Sequence, residues 1–133
     1  MQAPAVKITV ETTVPVGRIA DLLCCALEGG MAGQWACHTE TVLGSDDSGL
    51  DKEEWSALGG IYRAPLTSDG YLMFEDEEDG QTYKLNRDNI AAGLQKMAEE
   101  YPTSWGDFIA ENEDAITGDV FLQLCLLGDV VYG

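Results

Sequence analysis

The chain begins with a stretch in which apolar and polar side chains alternate, which is the period of a half-buried β-strand. The apolar members of this stretch are Val6, Ile8 and Val10. From Pro15 onward the apolar residues recur at helical spacing, and the pair Gly29 and Gly30 ends that pattern. The sequence therefore predicts a strand that continues toward Val14, followed by a helix with a wide apolar face.

Three later segments have strand character. Residues 34–43 are rich in β-branched and aromatic side chains, and simple alternation places four of them on one face. These four are Trp35, Cys37, Thr39 and Thr41. The pattern of residues 61–66 predicts a short strand. Residues 71–76 and 81–85 flank the turn sequence EEDG. The last two segments predict a β-hairpin.

The second half of the chain predicts helices. Asp88 is suited to the N-cap of a helix that Pro102 ends. Ser104 and Asp107 indicate the start of a short helix, and residues 117–127 form a last, apolar one. The closing residues are expected to form a tethered tail or an edge strand, and they are Val130, Val131 and Tyr132.

These elements together predict an α+β fold, with a small antiparallel sheet that contains a β-hairpin and packs against three to four helices. A chain of 133 residues with 45% hydrophobic residues can enclose a core without disulfides or a metal. There is no internal repeat and no long linker. The sequence therefore predicts a single α+β domain over residues 1–133.

The chain is very acidic, with 24 Asp and Glu against seven Lys and Arg, a formal net charge of −17 and a pI near 4.1. Proteins that bind DNA directly, or that bind anionic membranes, need clustered basic residues, and here the basic residues are scattered. The sequence also lacks a secretion signal, a long apolar run and a paired-cysteine pattern. We therefore expect a cytoplasmic protein that binds neither nucleic acid nor membrane.

The candidate chemical groups do not assemble into a recognisable catalytic or metal site. His38 follows Cys37 directly, and neighbours on a strand point to opposite faces. The cysteines lack zinc spacing, are expected to be buried reduced thiols, and are Cys24, Cys25, Cys37 and Cys125. The acidic runs do not fit a calcium loop. We therefore expect no enzyme activity, no catalytic residue, no bound metal and no cofactor.

The acidic residues are concentrated in two places. One set lies in an exposed loop and comprises Asp46, Asp47, Asp51, Glu53 and Glu54. The other lies at the hairpin tip and comprises Glu75, Asp76, Glu77, Glu78 and Asp79. Such crowding is unfavourable through self-repulsion, and a rigid acidic strand can imitate a nucleic-acid backbone toward a basic groove. The alternative is a solvated surface that keeps the protein in solution.

Two segments, IADLLCCALEGGMAGQWA and NEDAITGDVFLQLCLLGDVVYG, resemble a family of small acidic proteins encoded by bacteriophages and prophages. In the family pattern a helix ends in EGG, an aromatic residue such as Trp follows, and the chain closes with a D-x-x-T-x-D-x-x-x-Q helix and a G-[DE]-V-V-Y-G tail. The matching positions are Glu28, Gly29, Gly30, Trp35, Asp114, Thr117, Asp119, Gln123, Gly128 and Tyr132. The resemblance covers roughly the first 40 and last 30 residues, and it implies a setting, the cytoplasm of an infected host cell.

Small acidic phage proteins often inhibit host defence, and anti-CRISPR proteins are among them. The leading hypothesis is therefore an inhibitor that binds the basic surface of a host nucleic-acid-handling complex through both acidic clusters. One alternative is an enzyme or small-ligand binder with a pocket near Trp35, His38, Asp114 and Asp119. A further alternative is a structural phage protein that self-assembles.

Overall fold

The structure is a computed structural model, and it describes residues 5, 6, 8–45 and 60–133. The first regular element is helix α1 (Val16–Glu28), and a 3-10 turn (Ala32–Gln34) leads into strand β1 (Ala36–Val42). A short helix α2 (Gly60–Arg63) continues as a second 3-10 turn (Ala64–Leu66). The elements that follow are β2 (Tyr71–Asp76), β3 (Thr82–Leu85), α3 (Arg87–Glu100), α4 (Pro102–Ile109) and α5 (Ala115–Leu127). The predicted α+β fold is confirmed.

The three strands form one antiparallel sheet in the order β1-β2-β3, so that β2 is central. Strands β2 and β3 are the predicted hairpin, and Gly80 between them has φ 72°, a left-handed conformation that glycine adopts without strain. Leu72 and Phe74 of β2 are buried with Leu85 of β3. One face of the hairpin therefore joins the core, as alternation in its sequence predicts.

Helix α5 is the centre of the core, because it is buried on most sides and packs against α1, α3 and the sheet. Asp114 caps its first turn by accepting a hydrogen bond from the Thr117 amide at 3.0 Å. Gly128 ends the helix in the left-handed conformation that is common after a helix. Gly118 lies against the backbone of α1, where a Cβ atom would be only 2.4 Å from the amide nitrogen of Ala26.

The predicted first strand is wrong. The residues described between 5 and 14 belong to no strand, and Val6, Ile8 and Val10 are 90%, 76% and 73% exposed. The alternation is present in the sequence, but a strand needs a partner as well as a period, and the described part of the chain supplies none. Residues 61–66, also predicted as a strand, are helical instead, and Pro65 fits the start of their 3-10 turn.

Two predicted helix starts are displaced. The N-cap of α3 is Asn86 rather than Asp88, since the Asn86 side chain accepts a hydrogen bond from the Asn89 amide at 2.9 Å. Helix α4 begins at Pro102 and not at Ser104, because proline is well suited to the first turn. The remaining helix predictions, α1 and α5, are confirmed within two residues.

The predicted acidic loop with Asp46, Asp47, Asp51, Glu53 and Glu54 lies outside the described residues. Strand β1 is confirmed, but a register shift between His38 and Glu40 breaks its alternation. Thr41 therefore pairs with Leu72 on the buried face of β2, whereas Cys37 pairs with Glu75 on the outer face. None of the helices in the described residues has the length and apolar character needed to cross a membrane.

Candidate functional site

The acidic hairpin divides into exposed and buried members. Glu75, Glu77, Glu78 and Asp79 are exposed at the end of the hairpin, and we call these four residues the acidic tip. Asp76, from the same run, is 1% exposed. Its predicted role in partner binding is therefore corrected: its side chain is not available at the surface, because it turns toward the core face of the sheet.

The buried Asp76 organises the turn that carries the acidic tip. Its Oδ1 accepts a hydrogen bond from the Glu78 amide at 2.8 Å, and its backbone carbonyl accepts one from Gly80 at 2.8 Å. Oδ1 of Asp79 accepts a further bond from the Gln81 amide at 2.8 Å. Aspartate side chains commonly fix turns in this way. The tip therefore has a defined backbone.

Two contacts connect this turn to the rest of the domain. The Tyr132 hydroxyl donates a hydrogen bond to Oδ2 of Asp76 at 2.7 Å, and the Glu77 amide donates one to the Trp35 carbonyl at 2.7 Å. The hydrogen bond to Asp76 raises the pKa of Tyr132 to about 12, since it stabilises the protonated phenol. The rings of Trp35 and Tyr132 pack with their centroids 5.5 Å apart.

The same two aromatic residues are held from inside by helix α5. Asp119 accepts hydrogen bonds from Nε1 of Trp35 at 2.8 Å and from Nε2 of Gln123 at 2.9 Å. Oε1 of Gln123 accepts from the amides of Val131 at 2.7 Å and Tyr132 at 2.8 Å. We call the side chains of Trp35, Asp76, Asp119, Gln123 and Tyr132 the anchor network. It fixes the tail, which is tethered and not an edge strand.

The residues of the resemblance motif have structural roles in this arrangement. Trp35, Asp119, Gln123 and Tyr132 belong to the anchor network, and Asp114 and Thr117 cap α5. Gly29 approaches Ala115 so closely that a Cβ atom would lie 2.6 Å from the alanine Cβ. Gly30 and Gly128 have positive φ angles. The Glu28 carboxylate accepts hydrogen bonds from Cys24 and Tyr62, which lower its pKa.

Sequence reasoning missed one acidic residue next to the tip. The register shift in β1 puts Glu40 opposite Met73, on the same outer face as Cys37 and Glu75. In the simple alternation expected from the sequence, Glu40 and Cys37 lie on opposite faces. A bulge of this kind has no sequence signal here, since no glycine marks it. The exposed carboxylates therefore extend from the turn onto the first strand.

The residues of the alternative pocket do not line either of the two cavities in the described part of the chain. Trp35 and Asp119 are buried and bonded to each other, whereas Asp114 caps a helix. His38 is exposed on β1, where Nε2 contacts Oγ1 of Thr41 at 2.8 Å and its ring packs on Phe74. Two cavities, of about 820 Å³ and 370 Å³, are lined by none of these four residues. Of the four predicted pocket residues, the described structure brings Trp35 and Asp119 into contact, and that contact is buried.

The titratable groups of the described residues form no metal site of three or more ligands. All four cysteines are free thiols, but only Cys125 is buried, and Cys37 is exposed rather than buried as expected. Burial raises the pKa of Cys125 and of Cys25, which makes both thiols poor nucleophiles near neutral pH. The acidic tip offers hydrogen-bond acceptors and negative charge, which suit binding of cations.

Several basic residues have partners inside the domain. Arg18 binds Glu113 through both guanidinium nitrogens, at 2.5 and 2.9 Å, and stacks on the Phe108 ring. Lys84 lies over the Tyr71 ring at 4.2 Å, and Lys96 donates to the Gly128 carbonyl. Among the described residues, no ion pair joins a lysine or an arginine to a carboxylate of the acidic tip. The negative charge of the tip is therefore presented to solvent.

Comparisons of the chain with models of known protein families, with curated proteins and with solved structures find no match.

Proposed function

We propose that this chain is a non-enzymatic inhibitor, encoded by a bacteriophage or prophage, that occupies a basic nucleic-acid-binding surface of a host defence complex such as a CRISPR–Cas complex. The observation that carries the proposal is the acidic tip: four exposed carboxylates on a turn that the anchor network holds in place. The phage setting comes from the resemblance of the two motif segments.

The rigidity of the tip supports a binding role. A flexible acidic loop would lose conformational entropy when it docks, whereas a turn that is already ordered avoids much of that loss. Asp76 and Asp79 use their side chains to fix the turn, which leaves Glu75, Glu77 and Glu78 with no internal hydrogen bond among the side-chain bonds of the described residues. These three glutamates are therefore the residues that we assign to partner contact.

The distribution of the acids supports a partner that normally binds nucleic acid. Glu75 lies on the outer face of β2 next to its end, and Glu77 and Glu78 lie in the turn that follows, so that carboxylates follow one another along the backbone as phosphates do along a nucleic-acid strand. Glu40 adds a carboxylate on the neighbouring strand. A net charge of −17 gives long-range attraction to a basic groove, and salt weakens that attraction.

The test uses three immobilised proteins and nuclease-treated lysate of a bacterium that carries a CRISPR–Cas system. The first is the unchanged chain, and the second carries Glu75→Lys, Glu77→Lys and Glu78→Lys. The third is a control with the same change in charge at exposed acids far from the hairpin in sequence, Glu11→Lys, Glu99→Lys and Asp107→Lys. We expect nucleic-acid-binding proteins to be retained by the first and third proteins, and to be lost from the second.

Elution distinguishes specific mimicry from general charge attraction. Proteins held in a nucleic-acid groove should be released by added duplex DNA at low salt, because DNA competes for the same surface. Equal capture by the hairpin variant and the control would contradict the proposal. So would retention that added DNA does not affect. In either case the acidic tip would be a solvated turn that keeps the protein in solution.

A further inference from the structure

Strand β1 is an edge of the sheet, because β2 pairs with one side of it and no described strand pairs with the other. Its central residues, 37–41, are all exposed. Proteins commonly protect an exposed edge with proline, lysine or a bulge. Strand β1 contains neither proline nor lysine, and its register shift lies between His38 and Glu40. Within the described residues this edge is therefore open to a further strand.

The pairing identifies the backbone groups that face the open edge. The Asp76 amide donates a hydrogen bond to the Gln81 carbonyl at 2.8 Å, so the backbone groups of Asp76 point toward β3. Because this direction alternates along a strand, the backbone groups of Phe74 and Leu72 also point toward β3. The residues of β1 opposite these three therefore direct their N–H and C=O groups away from β2. They are Ala36, His38 and Thr41.

These outward backbone groups are available for pairing in the described part of the chain. They take part in no backbone hydrogen bond with a described residue outside the sheet. The Cys37 thiol lies 3.9 Å from the His38 carbonyl, and a thiol is a weak donor. A strand that is added here would gain main-chain hydrogen bonds without breaking a backbone bond of the described domain.

The charges around this edge determine which strand fits it. On the outer face, Glu40 lies on β1 and Glu75 on the adjacent β2, and the turn beyond them adds Glu77 and Glu78. Lys84 is on the same face, but it lies on β3, with β2 between it and β1. Opposite charges on neighbouring strands stabilise their pairing, and like charges oppose it. The edge therefore favours a strand with lysine or arginine at alternate positions.

We propose that the open edge of β1 accepts a basic strand of a partner protein, which forms main-chain hydrogen bonds to Ala36, His38 and Thr41. The alternate basic side chains of that strand lie on the outer face, beside Glu40 and Glu75. In strand addition of this kind, main-chain bonds supply affinity and alternate side chains supply selectivity. The inference rests on the proposed function, since it specifies which element of a basic partner the domain holds.

The experiment uses the purified chain and a capped peptide, as long as β1, in which lysine and threonine alternate. Calorimetry measures its dissociation constant. One matched peptide has glutamate in place of lysine and should not bind. A second keeps its lysines but has every backbone amide methylated, and it should bind at least roughly tenfold more weakly, because it cannot pair as a strand. Equal binding of the methylated and unmethylated peptides overturns the proposal, because the attraction would then be general.

Hydrogen exchange of the unchanged chain locates the peptide. Cys37 and Val42 face β2, so their amides should be protected with and without the peptide. The amides of His38 and Thr41 should be protected only when the peptide is bound. Binding that leaves these two amides unprotected overturns the proposal. So does a chain that is a dimer and protects both amides without the peptide, since a second copy would then occupy the edge.

Two variants with matched controls test the backbone and the charge. Thr41→Pro removes an outward amide, which an edge strand tolerates, and should weaken peptide binding about fivefold, whereas Thr41→Val should not. Glu40→Lys should weaken it at least roughly threefold, whereas Glu99→Lys, the same change at an exposed site on α3, should not. Thermal denaturation verifies that all four are folded. If the chain captures lysate proteins through the acidic tip but binds no peptide, strand addition is wrong and the proposed function stands. Peptide binding as described without such capture supports strand addition and contradicts the proposed function.

Discussion

The hydroxyl of Tyr132 lies 2.7 Å from Oδ2 of Asp76 and donates a hydrogen bond to it across 56 residues of sequence. Tyr132 is next to the last residue of the chain, and Asp76 ends the central strand of the sheet. The bond therefore ties the tail to the turn that carries the acidic tip. Because Asp76 also accepts from the Glu78 amide, one buried carboxylate joins the tail and the turn.

Removing the Tyr132 hydroxyl tests the strength of this bond. We expect Tyr132→Phe to lower the free energy of unfolding, because the variant loses the hydrogen bond to the buried Asp76 carboxylate. Urea denaturation measures the change. Tyr83→Phe is the control, since its hydroxyl is 3.3 Å from the exposed Asp79 and its removal should lower the free energy of unfolding by less than Tyr132→Phe does. Equal losses in both variants would mean that the Asp76 bond has no special role.

The same bond should make stability depend on alkaline pH. The hydrogen bond to Asp76 raises the pKa of Tyr132 to about 12 in the folded state, above the unfolded value of about 10. Its contribution is therefore complete below about pH 10 and is lost as pH rises through about 12. Denaturation of the unchanged chain and Tyr132→Phe at several pH values should show a stability difference that narrows over this window. A constant difference would contradict this assignment.

We expect the position of the tail, which contains Val131 and Tyr132, to depend on Gln123. Gln123→Leu keeps the side-chain volume but removes the acceptor of the Val131 and Tyr132 amides and a donor to Asp119. We expect a loss of about 3 kcal/mol, because several polar groups lose their partners. Hydrogen exchange of the two tail amides should accelerate before global unfolding. Gln95→Leu, at an exposed helical position, should leave both measurements nearly unchanged.

The elements that sequence predicted well are those that local patterns determine. Helix α1, the hairpin and α5 have a strong apolar period and clear end signals, and each formed as expected. Residues 8–14 have an equally clear period but no partner strand in the described part of the chain. Local alternation reports which face of a strand is apolar, but it carries no information about what the strand pairs with.

The candidate site shows the same limit. The sequence located the acidic run at the hairpin, and alternation with Leu72 and Phe74 puts Asp76 on the inward face of β2. The hydrogen bond with Tyr132 that accommodates this buried carboxylate is not visible in the sequence. Glu40 was missed because a bulge in β1 moves it to the outer face. Both features come from tertiary contacts between segments that are distant in sequence, and no local propensity encodes such contacts.

Substitution by alanine should change the stability of the fold in opposite directions at two helical glycines. A Cβ atom at Gly118 would meet the backbone of Ala26 at 2.4 Å, so Gly118→Ala should force α1 and α5 apart and cost about 3 kcal/mol or more. A Cβ atom at Gly106 would meet nothing within 4 Å, so Gly106→Ala should stabilise α4 by about 0.5–1 kcal/mol. Thermal denaturation measures both. A harmless Gly118→Ala would show that the two helices are not in close contact.

The ion pair between Arg18 and Glu113 should determine part of the acid sensitivity of the fold. Its two hydrogen bonds join α1 to the segment before α5, and Arg18 also donates to the Phe108 carbonyl at 2.7 Å. The hydrogen bonds from Arg18 lower the pKa of Glu113 below its ordinary value. Because the folded pKa is depressed, the contribution is present above the unfolded value of about 4.3 and is lost as pH falls through the folded one.

We therefore expect Glu113→Gln to reduce the free energy of unfolding by about 1–3 kcal/mol at pH 7. The difference in free energy of unfolding between the variant and the unchanged chain should become smaller as pH falls below about 4. In this variant Arg18 still pairs with the Asp21 carboxylate at 2.8 Å. The loss of stability should therefore be smaller than the loss caused by a buried charge that has no partner. Urea denaturation between pH 2 and pH 7 measures the difference. Asp21→Asn is the control, since its exposed pair should contribute less than about 1 kcal/mol. A gap between Glu113→Gln and the unchanged chain that persisted at the acid end would show that Glu113 acts through packing rather than through its charge.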